Sequence, residues 1–252
     1  MTYTTAYQTE KDSFYVTVGL WQAGQNRIFI DCNVQSPADM LSPGRIGMTA
    51  ILPVRFTAMK WYGKGPLETY PDRQCGGRMG VYSEDVRNQP FYLRPQEYGL
   101  HTESRSMRLT DPDRADFVRF EAACPMAMSA VPYSDLQLWN ARHPPELPAP
   151  EALYVHLDYA HRGLGNSSCG PDVLPTYRID DRPCRFGFAL EAGLGEREDN
   201  PFGPIPEEIP AYHPWKAVGE QDRTPSYRDP SDPDQRSNAG MAVSYTHLTL
   251  PT

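Results

Sequence analysis

The stretch of this sequence richest in groups able to do chemistry is residues 61–73, WYGKGPLETYPDR. It sets Glu68, Tyr70, Asp72 and Arg73 behind Trp61, Gly63, Gly65 and Pro66. Two carboxyl groups beside a guanidinium could serve acid–base chemistry, or they could fasten a loop. The spacing favours fastening. Glu68 and Arg73 can form an internal charge pair, Gly63 and Gly65 permit φ > 0 or close packing, and Pro66 fixes the exit from a strand. The alternative is that this segment projects into a pocket and shapes it. Glu97, Glu103 and Asp158 complete the carboxylate candidates. Hydrolysis by a carboxyl pair needs two groups ~5 Å apart with divergent pKa values, and no such pair is marked here. These acids are expected to bind Arg73, Arg105 or backbone amides.

His143, His156 and His161 have no Cys or carboxylate at ligand spacing, so no metal site is expected. The five cysteines, Cys32, Cys75, Cys124, Cys169 and Cys184, are widely spaced with no C-x-x-C pair, which excludes a zinc ribbon and a thioredoxin-like redox motif. An odd count fits reduced thiols. The net charge of −8 is spread over mixed-sign stretches, without a Lys/Arg run that would follow nucleic acid or an anionic membrane. No segment reaches the ~20 apolar residues of a membrane span, and residues 1–12 are polar and strand-like, without a charged n-region followed by an apolar stretch. A cytoplasmic location is expected.

Positioning these groups requires rigid elements, and 26 prolines with 19 glycines argue for strands over long helices. Phe14, Val16 and Val18 alternate, and Ile28, Ile30 and Cys32 repeat the period after a turn at 23–26, predicting a hairpin. Residues 46–52 and 54–62 predict two strands parted by Pro53. Residues 63–95, dominated by Gly, Pro, Asp and Arg, predict a long ordered loop. Further strands are expected at 99–109, 116–123, 152–159 and 183–190, with a short helix at 133–141 capped by Ser134. The pattern is that of a mostly β, large antiparallel β-sandwich with long loops.

The 61–73 segment resembles the W-x-G-x-G-P-x-E-x-Y-x-D-R signature of glycoside hydrolase family 2 β-galactosidases. In the same order, residues 95–105, PQEYGLHTESR, resemble that family's P-x-E-N-G-x-R-x-x-x-R strand, and residues 157–171, LDYAHRGLGNSSCGP, its D-x-x-x-x-G-x-G-x-x-S-W-x-P loop. The resemblance covers roughly residues 29–190. It implies the family's C-terminal galactose-mutarotase-like supersandwich, entered after the N-F-W-R-x-P-T-D-N-D segment, and hence a truncated domain at 1–191. It also implies that the catalytic glutamates and the Mg and Na ligands lie upstream of Met1, so this chain alone is expected to hold no cofactor and to be inactive.

The enzyme so implied is a retaining glycosidase that hydrolyses terminal β-D-galactose residues in β-galactosides such as lactose. Its substrate would be reached through the upstream barrel, and its partner would be the rest of the chain or a separate large subunit. Asn166, Ser167, Ser168 and Cys169 are the substrate-binding candidates, because the 163–171 turn offers donors and acceptors between glycines. Many relatives place tryptophan there; this chain has Cys169 followed by Gly170, and Tyr98 stands where the family has Asn. Trp21, Trp61 and Trp139 could stack a sugar, with core packing favoured for Trp61. A free-standing carbohydrate-binding or interaction module is the alternative. Residues 192–242, rich in Pro and acids, are expected to be extended or disordered. Residues 243–252, VSYTHLTLPT, resemble a translated sequencing adapter.

Overall fold

The computed structural model of the chain describes residues 2–8, 13–22, 25–35, 42–90, 92–93, 97–165, 171–180, 182–195 and 247–249. The 13–34 hairpin forms as expected, with β2 (Ser13–Gln22) antiparallel to β3 (Arg27–Gln35) and β1 (Thr2–Gln8) outside β2. Its register sets Val16 opposite Val34 and Val18 opposite Cys32. All four are buried, so the period of two becomes one apolar face.

The order of neighbours runs β1-β2-β3-β10-β8-β7-β5-β6, with β4 and β9 joined through β8. Here β4 is Arg45–Pro53, β5 Ala58–Gly65, β6 Arg78–Asp85, β7 His101–Thr110, β8 Phe117–Val131, β9 Ala152–His161 and β10 Cys184–Gly193. The long strand β8 makes the fold. Its first half pairs with β10, and its second half, Ala127 to Val131, pairs with β9. The sheet thereby divides and covers itself. Cys32 on β3 meets Met48 on β4, strands that share no ladder, with sulfurs 3.1 Å apart. One core cluster holds Ile30, Met48, Trp61, Leu109, Phe120, Val155 and Phe188 from seven strands. The mostly β expectation holds.

Four boundaries differ from the sequence reading, the first being β5, which starts at Ala58 instead of residue 54 and runs on through Gly65. β6 lies inside the 63–95 segment taken as loop, because Met79 and Val81 stay exposed on a strand paired only with β5 among the described residues. Such a strand shows little hydrophobic alternation to read. β8 continues past Pro125, where the ladder with β7 shifts register and proline's missing N–H is tolerated. β10 runs through Gly193, beyond residue 191. The helix α1, Asp135–Asn140, starts at Ser134 as expected, with Gln137 closing a capping box. Residues 196–242 lie outside the described residues. Of 243–252, His247–Thr249 forms β11, parallel to Thr49–Ile51 of β4.

Candidate functional site

The three ordered motifs come together in space. Strand β5 delivers Trp61, 1% exposed, with its ring stacked on His101 at 3.8 Å and its indole N–H donated to the Lys64 carbonyl. Gly63 packs where a Cβ would lie 2.5 Å from Ser104 Oγ, so no larger residue fits without moving β7. After Gly65 and Pro66 the chain leaves the strand. The Glu68 carboxylate pairs with Arg73, accepts the Tyr92 hydroxyl and accepts the Gly99 backbone N–H at 2.8 Å. Thr69 N–H donates to the Leu100 carbonyl at 2.6 Å, which ties the signature to the 95–105 segment.

Tyr70 and Arg73 close a tight turn by reciprocal backbone bonds of 3.1 and 2.9 Å. At its tip, Asp72 accepts the N–H groups of Leu164 at 3.0 Å and Gly165 at 2.7 Å. The signature therefore also holds the 157–171 segment. Gly163 meets the same carboxylate so closely that a Cβ would sit 2.7 Å from Asp72 Cγ, and Gly165 has φ +59°, the left-handed region.

Beneath this turn lies a buried ionic cluster that sequence reasoning missed. Arg45, at the start of β4, pairs with Glu97, with Asp158 at 3.6 Å and with Asp135 at 3.8 Å. His156 and His161, on β9, flank it: His161 Nε2 is 3.4 Å from Glu97 and His156 Nε2 is 3.8 Å from Asp135. Tyr70 packs edge-on against the His161 ring. Gly47, at the β4 bulge, leaves the space taken by Asp158, whose Oδ1 would be 2.3 Å from a Cβ there.

Burial alone would push the Glu97 carboxyl up, but Arg45 and His161 outweigh it and bring its pKa down to about 2. Burial raises Asp158 to about 6, with Arg45 offsetting only part of that cost. Burial, reinforced by the Arg45 charge, lowers His156 to about 4, so this ring is neutral at pH 7 and meets Thr49 Oγ1 at 3.1 Å. His161 behaves oppositely. Burial would lower its pKa, yet the contact with Glu97 raises it. Its Nδ1 lies 2.6 Å from the Arg162 carbonyl, which can only accept, so both ring nitrogens face acceptors and the imidazolium is satisfied.

The loop base is clasped from both sides. Arg162 N–H donates to the Gly44 carbonyl and Gly163 N–H to the Tyr177 carbonyl, each at 2.9 Å. Across the loop, Asp172 pairs with Arg162 at 2.5 Å and Arg178 at 3.2 Å. Asn166, Ser167, Ser168 and Cys169 themselves lie outside the described residues. Trp139 is 41% and Trp21 40% exposed, the latter stacked on Phe29. Among the described residues no group of three His, Cys, Asp or Glu side chains could hold a metal ion. Nor is any helix among them long and apolar enough to cross a membrane.

No local spacing announces Arg45, Asp135, His156 or His161 as one cluster; the only hint was that His156, Asp158 and His161 share a strand. What the arrangement can do chemically is fix backbone. Arg45 holds three acids, and Glu68 and Asp72 hold the amides of Gly99, Leu164 and Gly165, which anchors those backbone positions. The class so defined is a mostly β, largely antiparallel domain whose polar contacts join the segments that follow β5 and β9.

The profile of the family described as "Beta galactosidase small chain" matches residues 1–190. The chain belongs to that family, a family of glycosidases. It is 31% identical over 156 residues to a β-galactosidase of Staphylococcus xylosus, which covers 61% of this chain and 16% of that protein. To the β-galactosidase of Arthrobacter sp. (strain B7) it is 33% identical over 168 residues, 63% of this chain and 16% of the relative. The β-galactosidase BgaC of Bifidobacterium adolescentis is 35% identical over 175 residues, 67% of this chain and again 16% of the relative. The chain thus spans about a sixth of the length of the relatives it matches.

Proposed function

We propose that this chain is the non-catalytic C-terminal portion of a retaining β-galactosidase that hydrolyses terminal β-D-galactose residues in β-galactosides such as lactose. In this reading the two catalytic carboxylates and any Mg or Na ions belong to the upstream barrel, and the chain contributes the 163–171 turn to the mouth of the active site. The observation that carries the reading is the convergence of the three family motifs on one loop base, where Asp72 grips Leu164 and Gly165. A loop held by that many directed bonds is suited to presenting groups to a ligand. Glu97 and Asp158 differ in pKa, but both are buried against Arg45, which speaks for a structural use of the pair over contact with a sugar. The supersandwich fold and a cytoplasmic location belong to the same proposal.

The test is hydrolysis of a chromogenic β-galactoside by the chain alone and by the chain joined to its upstream coding sequence. Activity confined to the joined protein is expected. Activity in the lone chain overturns the non-catalytic assignment. Inactivity of both, with retention of the lone chain on immobilised galactosides, selects a carbohydrate-binding module instead.

A further inference from the structure

The outer face of the β2–β3 hairpin contains none of the three motif segments, yet it carries exposed aromatic rings in a regular setting. Val16, Val18, Ile30, Cys32 and Val34 fill the core, so the alternate positions point outward: Tyr15, Thr17, Gly19 and Trp21 of β2 beside Phe29, Asp31 and Asn33 of β3. Side chains on a strand ordinarily stand upright from the sheet. Two glycines let two rings lean over instead. A Cβ on Gly19 would lie 3.2 Å from Cζ3 of Trp21, and one on Gly187 of β10 would lie 3.2 Å from Cε1 of Phe29. The rings stack with centroids 5.2 Å and planes 23° apart, and Trp21 stays 40% exposed. The result is a shallow aromatic floor. Farther back along β2, roughly 20 Å away at the rise of a strand, Tyr15 is 50% exposed on the same face. Between them lie Gly19 and Thr17, with the Thr17 hydroxyl 2.9 Å from that of Thr4 on β1.

Charge decides what such a face can hold. Its ionic groups are matched to one another: Arg185 binds Asp31 at 2.6 Å, Arg27 binds Glu121 at 2.8 Å and Arg119 binds Glu191 at 2.6 Å. Ion pairs matched in this way offer little to a charged polymer. The apolar part is two rings and one tyrosine parted by glycine and threonine, short of the contiguous apolar centre of a protein interface. A neutral sugar chain fits both facts. The C–H face of a pyranose stacks on an aromatic ring while its hydroxyl rim meets hydroxyls and ion-paired side chains. A β-galactosyl unit suits the floor well, because its one axial hydroxyl lies on one side and leaves only axial C–H bonds across the other.

We infer that this face of β2 and β3 is a sugar-binding surface that takes a neutral galactan chain along Trp21, Phe29 and Tyr15. It holds the protein on a polymeric galactoside and takes no part in bond cleavage. The choice of galactosyl units rests on the function proposed above; the aromatic floor does not.

The test is native electrophoresis of the joined, full-length protein through gels with and without soluble β-1,4-galactan, with hydroxyethyl cellulose as the control polymer. The kcat and KM for a chromogenic aryl β-galactoside are measured alongside. Retardation by galactan and not by the cellulose is expected. Trp21→Ala should weaken it about tenfold, as loss of a stacking surface implies, with kcat and KM unchanged. Trp21→Phe should restore part of it. Gly19→Val keeps the tryptophan but pushes its ring off the floor, and should weaken retardation too. Tyr15→Ala removes the far contact, and it decides the matter should Trp21→Ala lower the thermal midpoint.

Absence of retardation in the joined protein overturns the inference, because the face is then covered by the rest of the polypeptide or does not bind. Equal retardation by both polymers overturns the galactosyl assignment. Retardation that survives in both Trp21→Ala and Tyr15→Ala also sinks the proposal, as does retardation lost in step with a raised KM, which assigns the binding to the catalytic centre. Trp21-dependent retardation of a joined protein that hydrolyses no galactoside removes the enzymatic reading and leaves the sugar-binding surface standing.

Discussion

Replacing Arg45 by Met removes the guanidinium that, among the described residues, faces Glu97, Asp135 and Asp158, while keeping an unbranched side chain of similar reach. Both Arg45 and Glu97 have side chains only 10% exposed, and Asp158 only 1%. Water therefore cannot replace the lost charge. Breaking a buried pair by deleting one partner typically costs about 3–5 kcal/mol, because the other charge stays buried and uncompensated. For a domain of this size that corresponds to a fall in Tm of roughly 6–20 °C.

The cost should depend on pH in a determined direction. With Arg45 present, Glu97 sits at about 2 and is ionised throughout the neutral range. Without it, only His161 still opposes the effect of burial on Glu97, the Glu97 and Asp158 carboxyls rise, and the variant can neutralise them by binding protons. The gap between Arg45→Met and the parent should therefore narrow as pH falls from 7 to 5. Urea unfolding followed by tryptophan fluorescence at both pH values measures it, since Trp61 is buried in the core. A loss below about 1 kcal/mol at pH 7 would mean that the cluster is hydrated and weakly coupled. A gap that widens on acidification would refute the electrostatic reasoning outright.

Gly47→Ala should cost about 1–3 kcal/mol in the same assay, because its Cβ would lie 2.3 Å from Asp158 Oδ1 and 2.5 Å from the Leu157 carbonyl. Acid stability should show a component from His156, whose pKa falls from 6.5 to about 4 on folding. That contribution is fully present above pH 6.5 and lost as pH falls through about 4, so His156→Gln should flatten the stability profile across that window. Glu97 adds a second acid limb, present above about pH 4.5 and lost towards 2, and Glu97→Gln should abolish it. Titration with a thiol reagent in the native state should label the exposed Cys75 and spare Cys32, which is buried and has its thiol pushed up to about 12. Rapid labelling of Cys32 would contradict the packing of β3 against β4.

What could be read from the sequence was local. The β2–β3 hairpin, the Ser134 cap and the strands β9 and β10 were read from local sequence, and all of them form. The motif residues were also legible, as was the pairing of Glu68 with Arg73, because the partners lie five positions apart. β6 and the second half of β8 were not. The first is, among the described residues, paired on one side only and leaves Met79 and Val81 exposed, and the second passes through Pro125, a residue that normally ends a strand.

The cluster around Arg45 belongs wholly to tertiary structure. Arg45 reaches Glu97 across 52 positions and Asp72 reaches Gly165 across 93, separations at which sequence spacing carries no geometric information. The sequence by itself determined most of the strands, though not β6 or the second half of β8, and which residues share the family's signature. Only the folding of the sheet about β8 decided that those residues share one buried, low-dielectric space, and it is that space, by making water a poor partner, that turns scattered acids and histidines into the support of a single loop.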